Sequence, residues 1–363
     1  MYKNIIIPFY AKACIIIVGI FVLFSILYIA QDIFIPIVFA IIISIVLHPI
    51  VNFFVRIKVN RVIAIIITIT LTFLIFAGIG TIIISQATNF IESWPTLVDK
   101  ITNLLNSTIT NLATYFDVKP QYIYDWIGHA KDEFLNLNNN NSTIGHAIMA
   151  MGGWIMVMFL IPVYVFILLF YHALFIEFIH KLFDLSNQKQ VTEIITQIKT
   201  VIQRYLIGLF IEIIIVSALD ALALLALGIE YAFLLGIIGG LLNVIPYIGG
   251  IVAIALPIII GLVTLSSGWY IVYIFVFYSI IQLIDNNIIV PLIVASKVKI
   301  NALFSIVIVI AGNSLWGISG MFLSIPLLGI LKVIFDHIDS LKPWGFLLGD
   351  SIPKKSKIKL LKM

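Results

Sequence analysis

The chain has 363 residues, of which 62% are hydrophobic and 10% charged, with mean hydropathy +1.18 and a formal net charge of +4. Soluble domains carry about 25% charged residues, so this composition excludes a soluble globular protein, and no nucleic-acid partner is expected. The single cysteine, Cys14, excludes a disulfide framework.

The first apolar run, 13–30, follows Lys3 and Lys12. Its length, and a second apolar run directly after it, favour a retained anchor over a cleaved leader. Further uncharged runs follow at 33–55, 62–94 less its polar end, 147–174 and 300–331. Each is long enough to be read against the roughly 20 residues that a helix needs to cross a bilayer. Arg56, Lys58 and Arg61 lie between the second and third runs, and Lys354, Lys355, Lys357, Lys359 and Lys362 crowd the C-terminus. The bias of Lys and Arg toward the cytoplasmic side predicts both termini inside and 86–146 outside. The number of crossings is then even, and eight are expected.

The fold class is therefore all-α and polytopic, with the lipid bilayer as a partner. Residues 1–85 hold the first three spans and 86–146 an extracytoplasmic insert. Residues 147–340 form a transport body with a cytoplasmic helical connection at 172–204, and 341–363 a basic tail. In the insert, Leu97, Ile101, Leu104, Leu105, Thr108 and Leu112 recur at helical spacing after Trp94-Pro95. A second amphipathic stretch begins at Pro120, and the Asn-rich 136–142 reads as a loop.

The body departs from plain spans. From Tyr231 to Ile284 there is no Asp, Glu, Lys or Arg, yet Gly239, Gly240, Asn243, Pro246, Gly249, Gly250 and Pro257 interrupt the run. Two pieces too short for comfortable crossings, 231–245 and 251–265, meet at 246–250. A second pair, 302–311 and 321–332, meets through 313–320. Short, interrupted segments in two halves of a chain point to a transporter site, and broken backbone at membrane depth must be buried in protein or line a watery cavity. The other reading is two turns at the membrane surface between thin or tilted spans. The first reading makes Asn243, Pro246, Tyr247, Gly249, Gly250, Trp316, Gly317 and Gly320 a substrate pathway.

Charges inside the spans are few: Glu212 and Asp220 in 205–227, and Asp285 after 270–284. Such charges are costly in lipid and usually face protein or water. Gln282, Asp285 and Asn286 fall near one helical face. With Glu212 and Asp220 they suit ion or proton coupling; helix capping by Asp285 and helix packing by the other two are the alternatives. The chain lacks GxxxxGK[ST], HExxH, a cysteine cluster and GxSxG, so neither an enzyme nor a bound cofactor or metal is expected.

Arg204-Tyr205-Leu206-Ile207-Gly208, Ala232-Phe233-Leu234-Leu235-Gly236, Asn243-Val244-Ile245-Pro246-Tyr247-Ile248-Gly249, Asp285-Asn286-Asn287-Ile288-Ile289-Val290-Pro291, Trp316-Gly317-Ile318-Ser319-Gly320 and Ile325-Pro326-Leu327 follow in that order. In these motifs the chain resembles the autoinducer-2 exporter family of bacterial inner-membrane proteins. Gly250 stands where that family often has Pro, and Leu209 where a Gln is common. The resemblance implies a secondary transporter of about eight spans that exports a small polar molecule or signal, and a homo-oligomer, with a pentamer known in the family. It also admits a sodium or lithium/proton antiporter. A non-transporting membrane scaffold working through the insert and tail is a further reading.

Overall fold

A helix satisfies its own backbone hydrogen bonds, which hydrocarbon cannot do for it, and the apolar runs fold accordingly. The computed structural model describes residues 8–116, 159–245, 248–265, 268–294 and 300–350. In chain order the helices are α1 (Phe9–Ile29), α2 (Gln31–Arg56), α3 (Arg61–Phe116), α4 (Phe159–Phe170), α5 (His172–Lys181) and α6 (Gln188–Ala226). They continue with α7 (Ala232–Asn243), α8 (Ile248–Thr264), α9 (Trp269–Ile284), a π-helix (Asp285–Val294), α10 (Ala302–His337) and α11 (Lys342–Leu348). The fold is all-α and polytopic.

Among the described residues six helices are long and apolar enough to cross a membrane, and α4 with α5 makes a seventh as a pair bent by 64°. The expected amphipathic helix after Trp94-Pro95 is no separate element, because α3 runs unbroken from Arg61 to Phe116. The stretch from Pro120 and the loop 136–142 lie outside the described residues. The connection at 172–204 is helical, and its second half enters the following span within α6 without a break.

The chain forms two compact units that are discontinuous in sequence. One is built from the described residues of Met1–Ile65, Ile161–Leu206 and Ala295–Met363, the other from those of Ile66–Leu160 and Ile207–Val294. The sequence blocks and the spatial units thus divide the chain differently.

In the first unit α10 is not one straight rod. Trp316 and Gly317 leave helical geometry, and Gly317 adopts φ 59°, ψ −140°, a region essentially reserved for glycine. The arms, 302–315 and 318–337, then fold back on each other. A Cβ on Gly312 would strike the carbonyl of Gly320, and one on Gly320 would strike that of Gly312. One turn further from the tip, Ser324 Oγ donates to Ile308 O at 2.9 Å. Trp316 is buried with Ile42, Ile202 and Leu323, and its indole N–H donates at 3.0 Å to Leu27 O, a carbonyl in the last turn of α1. At the open end Asn301 caps the first arm by accepting from Phe304 N at 3.0 Å, and its Nδ2 donates to Leu347 O at 2.8 Å.

In the second unit α7 and α8 form another hairpin. A Cβ on Gly249 would meet Leu242 O and Asn243 Cα. The spacing Gly236–Gly240 brings α7 onto Ala221 and Ser217 of α6, the close helix approach that paired small residues permit in membranes. Leu224, Leu235, Ala253, Ile260 and Ile274 fill the core beside it. At about 1.5 Å per residue, the 12 residues of α7 reach roughly 18 Å, well short of the ~30 Å hydrocarbon layer.

Helix propensity alone makes Gly→Ala in a helix stabilising by about 0.5–1 kcal/mol. The contacts at the α10 hairpin reverse that sign. Gly312→Ala and Gly320→Ala are each expected to destabilise by about 1–3 kcal/mol, while Gly19→Ala, with nothing within 4 Å of its Cβ, holds or raises the melting temperature. Thermal melts of the three variants in one detergent check the contrast.

Candidate functional site

Near the α7–α8 turn the second unit buries an unusual set of polar groups. Glu212 is 7% exposed, Asp220 2% and Asp285 2%, in a unit whose other buried side chains are mostly apolar. α6 supplies Glu212, Ser217 and Asp220, α7 supplies Asn243, and α9 with the π-helix supplies Tyr278, Gln282 and Asp285.

Asn243, the last residue of α7, ties three elements together. Its Nδ2 donates to Asp285 Oδ2 at 2.9 Å and to Glu212 Oε1 at 3.3 Å. Both carboxylates therefore lie within hydrogen-bond reach of one neutral nitrogen. The charge on Asp285 also reaches Asp220, whose Oδ2 lies where a Cβ on Gly239 would be. Gln282 is half-buried, with Oε1 against Gly250. Glycine at 239, 240 and 250 thus keeps space for Asp220, Ser217 and Gln282, which a side chain would fill.

The set is not self-satisfied. Asp285 Oδ1, Asp220 Oδ1, Ser217 Oγ and Tyr278 OH are buried without a hydrogen-bond partner. Buried polar atoms are nearly always paired, so these four stand out as unmet hydrogen-bonding capacity. Three carboxylates, two hydroxyls and two amides can bind a hydroxylated molecule, a cation or a proton. Among the described residues no three of His, Cys, Asp and Glu come together as a metal-ligand group.

Of the residues singled out in the sequence, Asn243, Gly249, Gly250, Glu212, Asp220, Gln282 and Asp285 all belong to this unit. Asn286 does not join them: it is exposed. Asp285 is not a helix N-cap either. Its backbone is helical (φ −59°, ψ −56°) at the C-terminal end of α9, and its carboxylate accepts from Asn243 instead. Pro246 and Tyr247 lie outside the described residues. Trp316, Gly317 and Gly320 belong to the other unit, where they form the tip of its hairpin.

Ser217 and Tyr278 were not singled out in the sequence. A signal for Tyr278 was there: Tyr278, Gln282 and Asp285 stand at i, i+4 and i+7, one helical face. Ser217 carried a weaker one, one turn before Asp220.

Replacing Asn243 by Leu removes the donor shared by Glu212 and Asp285. It is expected to lower stability by about 1–3 kcal/mol, the cost of leaving buried acceptors without a partner. Asp285→Asn keeps the shape and removes a charge, so its melting temperature should hold or rise. Paired thermal melts of the two variants check this opposite behaviour.

Comparison with known proteins places this arrangement in context. The family model described as AI-2E family transporter matches residues 15–340. The chain is 27% identical over 320 residues to "Putative transport protein YrrI" of Bacillus subtilis (strain 168), covering 85% of this chain and 87% of that protein. It is 24% identical over 350 residues to a "Putative transport protein" of Borreliella burgdorferi, covering 93% and 90%. Similarity to "AI-2 transport protein TqsA" of Escherichia coli (strain K12) is 31% over 137 residues, 38% of this chain and 40% of that protein.

Proposed function

The chain belongs to the AI-2E family of transporters and is a multi-pass membrane transport protein, and we propose that it is a secondary transporter exporting a small polar molecule of the autoinducer-2 class. The observation that carries this reading is the buried Glu212–Asn243–Asp285 set with its four unpartnered polar atoms. Such atoms persist in a membrane only where protein, water or a polar cargo meets them. The similarity to TqsA supports the class of solute.

Asn243, Asp285 and Glu212 hold the cargo through hydrogen bonds, with Asp220, Ser217, Tyr278 and Gln282 completing the polar lining. The α7–α8 hairpin, short of a full crossing, brings Asn243 to these carboxylates from the end of a helix rather than its middle. The chain lacks a phosphate-binding GxxxxGK[ST] loop, which fits a transporter that is gradient-driven or passive rather than one that uses ATP directly. The Lys and Arg residues at the span ends support an orientation with both termini and the 56–61 loop in the cytoplasm, and the bacterial inner membrane is the proposed location. A homo-oligomer is the proposed assembly.

The test is efflux of preloaded autoinducer-2 from proteoliposomes holding the purified full chain. Saturable efflux that falls at least about tenfold in Asp285→Asn and in Glu212→Gln is expected, since each removes a carboxyl group that would hydrogen-bond the cargo. Efflux equal to that of empty liposomes, or unchanged in both variants, overturns the proposal. So does a pH-dye response to sodium that needs no organic solute and vanishes in Asp285→Asn, because that is cation exchange.

A further inference from the structure

The first unit carries a second polar cluster, of opposite charge, where α2, α3, α6 and the α4–α5 bend come together. His48, next to Pro49 near the end of α2, stacks on His172, the first residue of α5. Their ring centroids are 4.3 Å apart and the planes are tilted by 30°. His48 Nδ1 lies 3.0 Å from Lys199 Nζ and 3.2 Å from Asn52 Nδ2. An ammonium group only donates, so Nδ1 must accept, and the imidazole is neutral with its proton on Nε2. Lys199 is therefore positioned by a neutral ring, which leaves its positive charge uncancelled and its other N–H groups available.

Arg61, the first residue of α3, donates from Nη2 to Leu169 O at 2.9 Å. That carbonyl is in the last turn of α4, beside the 64° bend, where the helical ladder is interrupted. The rest of the guanidinium fork remains available for a planar or tetrahedral oxyanion. Lys199 and Arg61 both act electrostatically on His48 and on His172, so the four groups share one neighbourhood. His48, His172 and Lys199 are half-buried, and Arg61 is exposed at the rim.

Four acidic residues of this unit are engaged elsewhere. Glu177 pairs with Lys181 at 2.8 Å, Asp336 with Lys332, Asp339 with Lys342 at 2.6 Å, and Glu193 faces His337 at 3.9 Å. Among the described residues no carboxylate lies within ion-pair distance of Lys199 or Arg61. The half-buried positive charge of Lys199, without a counter-charge, is unfavourable, and the component that would relieve it is an anion shared with Arg61 at the rim.

We propose that Lys199, Arg61, His48 and His172 form a binding site for a phosphate-type oxyanion. Lys199 and Arg61 supply the charge, His48 supplies the Nε2–H donor, and His172 holds the His48 ring in place by stacking. The site lies near the ends of apolar helices, and basic pockets at such ends suit lipid head groups. The phosphodiester of an anionic lipid and free inorganic phosphate share the required chemistry.

The test titrates the purified full chain in detergent with phosphatidylglycerol, phosphatidylcholine and inorganic phosphate, reading the melting temperature. Phosphatidylglycerol or inorganic phosphate is expected to raise it. The apparent affinity should fall about tenfold or more in Lys199→Met and in Arg61→Gln, the loss of a hydrogen bond to a charged group. Lys199→Arg should recover part of it, and Lys181→Met, at an exposed ion pair, should leave it unchanged. A response to phosphatidylglycerol without one to phosphate identifies a lipid head group, and a response to phosphate identifies the free ion. The proposal is overturned by no shift with either anion, by an equal shift with phosphatidylcholine, or by equal affinity in wild type and Arg61→Gln. Because Arg61 is exposed, its variant keeps the test decisive if Lys199→Met does not fold.

Discussion

Hydrocarbon offers no partner for a peptide N–H or C=O, and this constraint governs how the chain can afford broken helices at all. Both helical hairpins meet it by bringing backbone against backbone. In one, Gly249 lies on Leu242 and Asn243; in the other, Gly312 and Gly320 lie on each other's carbonyls and Ser324 reaches Ile308. Each set of contacts is arranged symmetrically about a turn, as antiparallel arms require. A methyl group at these glycines would hold the arms apart and open the turn to lipid.

The hairpins use that closeness differently. At the tip of α10 the polar groups are consumed by structure: the Trp316 indole donates to Leu27 O and the ring joins the apolar core. At the end of α7 the polar groups stay incompletely satisfied, because Asn243 reaches two carboxylates and leaves other acceptors open. The first arrangement fixes a fold, and the second leaves hydrogen-bonding capacity that the protein does not use. The π-helix belongs to the second. A π turn has wider spacing and often accompanies function; here it begins at the buried Asp285.

Much of this was legible in the sequence. Uncharged runs gave the spans, and Gly and Pro gave both hairpins, because those residues interrupt helices for local reasons. The break expected across 313–320 narrows to Trp316 and Gly317, since only Gly317 needs a backbone region closed to other residues. The unbroken course of α3 through Pro95 was not legible, as proline predicts a boundary more often than a continuation. Glu212, Asp220 and Asp285 stood out because charge is rare in such a chain. Ser217 and Tyr278 did not, because a hydroxyl in a span is unremarkable until its burial and missing partner are seen. Asn286 shows the limit of helical periodicity: it was expected near the face of Gln282 and Asp285, and its side chain is exposed.

The two polar clusters share one electrostatic device. Where a lysine or arginine to bridge Glu212 and Asp285, the charges would cancel in a fixed ion pair and leave little to attract a cargo. Asn243 is neutral: it sets the geometry of both carboxylates while leaving their capacity for another donor. Around Lys199 the same logic runs with the sign reversed, since the neutral His48 ring orients an ammonium that a carboxylate would have quenched. In each case a charge is held by a neutral partner, which fixes its position and leaves its field free to act on a third body. Structural ion pairs such as Glu177–Lys181 lie on exposed side chains of the same chain, where cancellation is harmless. Neutral positioning is used at Glu212, Asp285 and Lys199, where cancellation would remove the property that distinguishes them from the apolar surroundings.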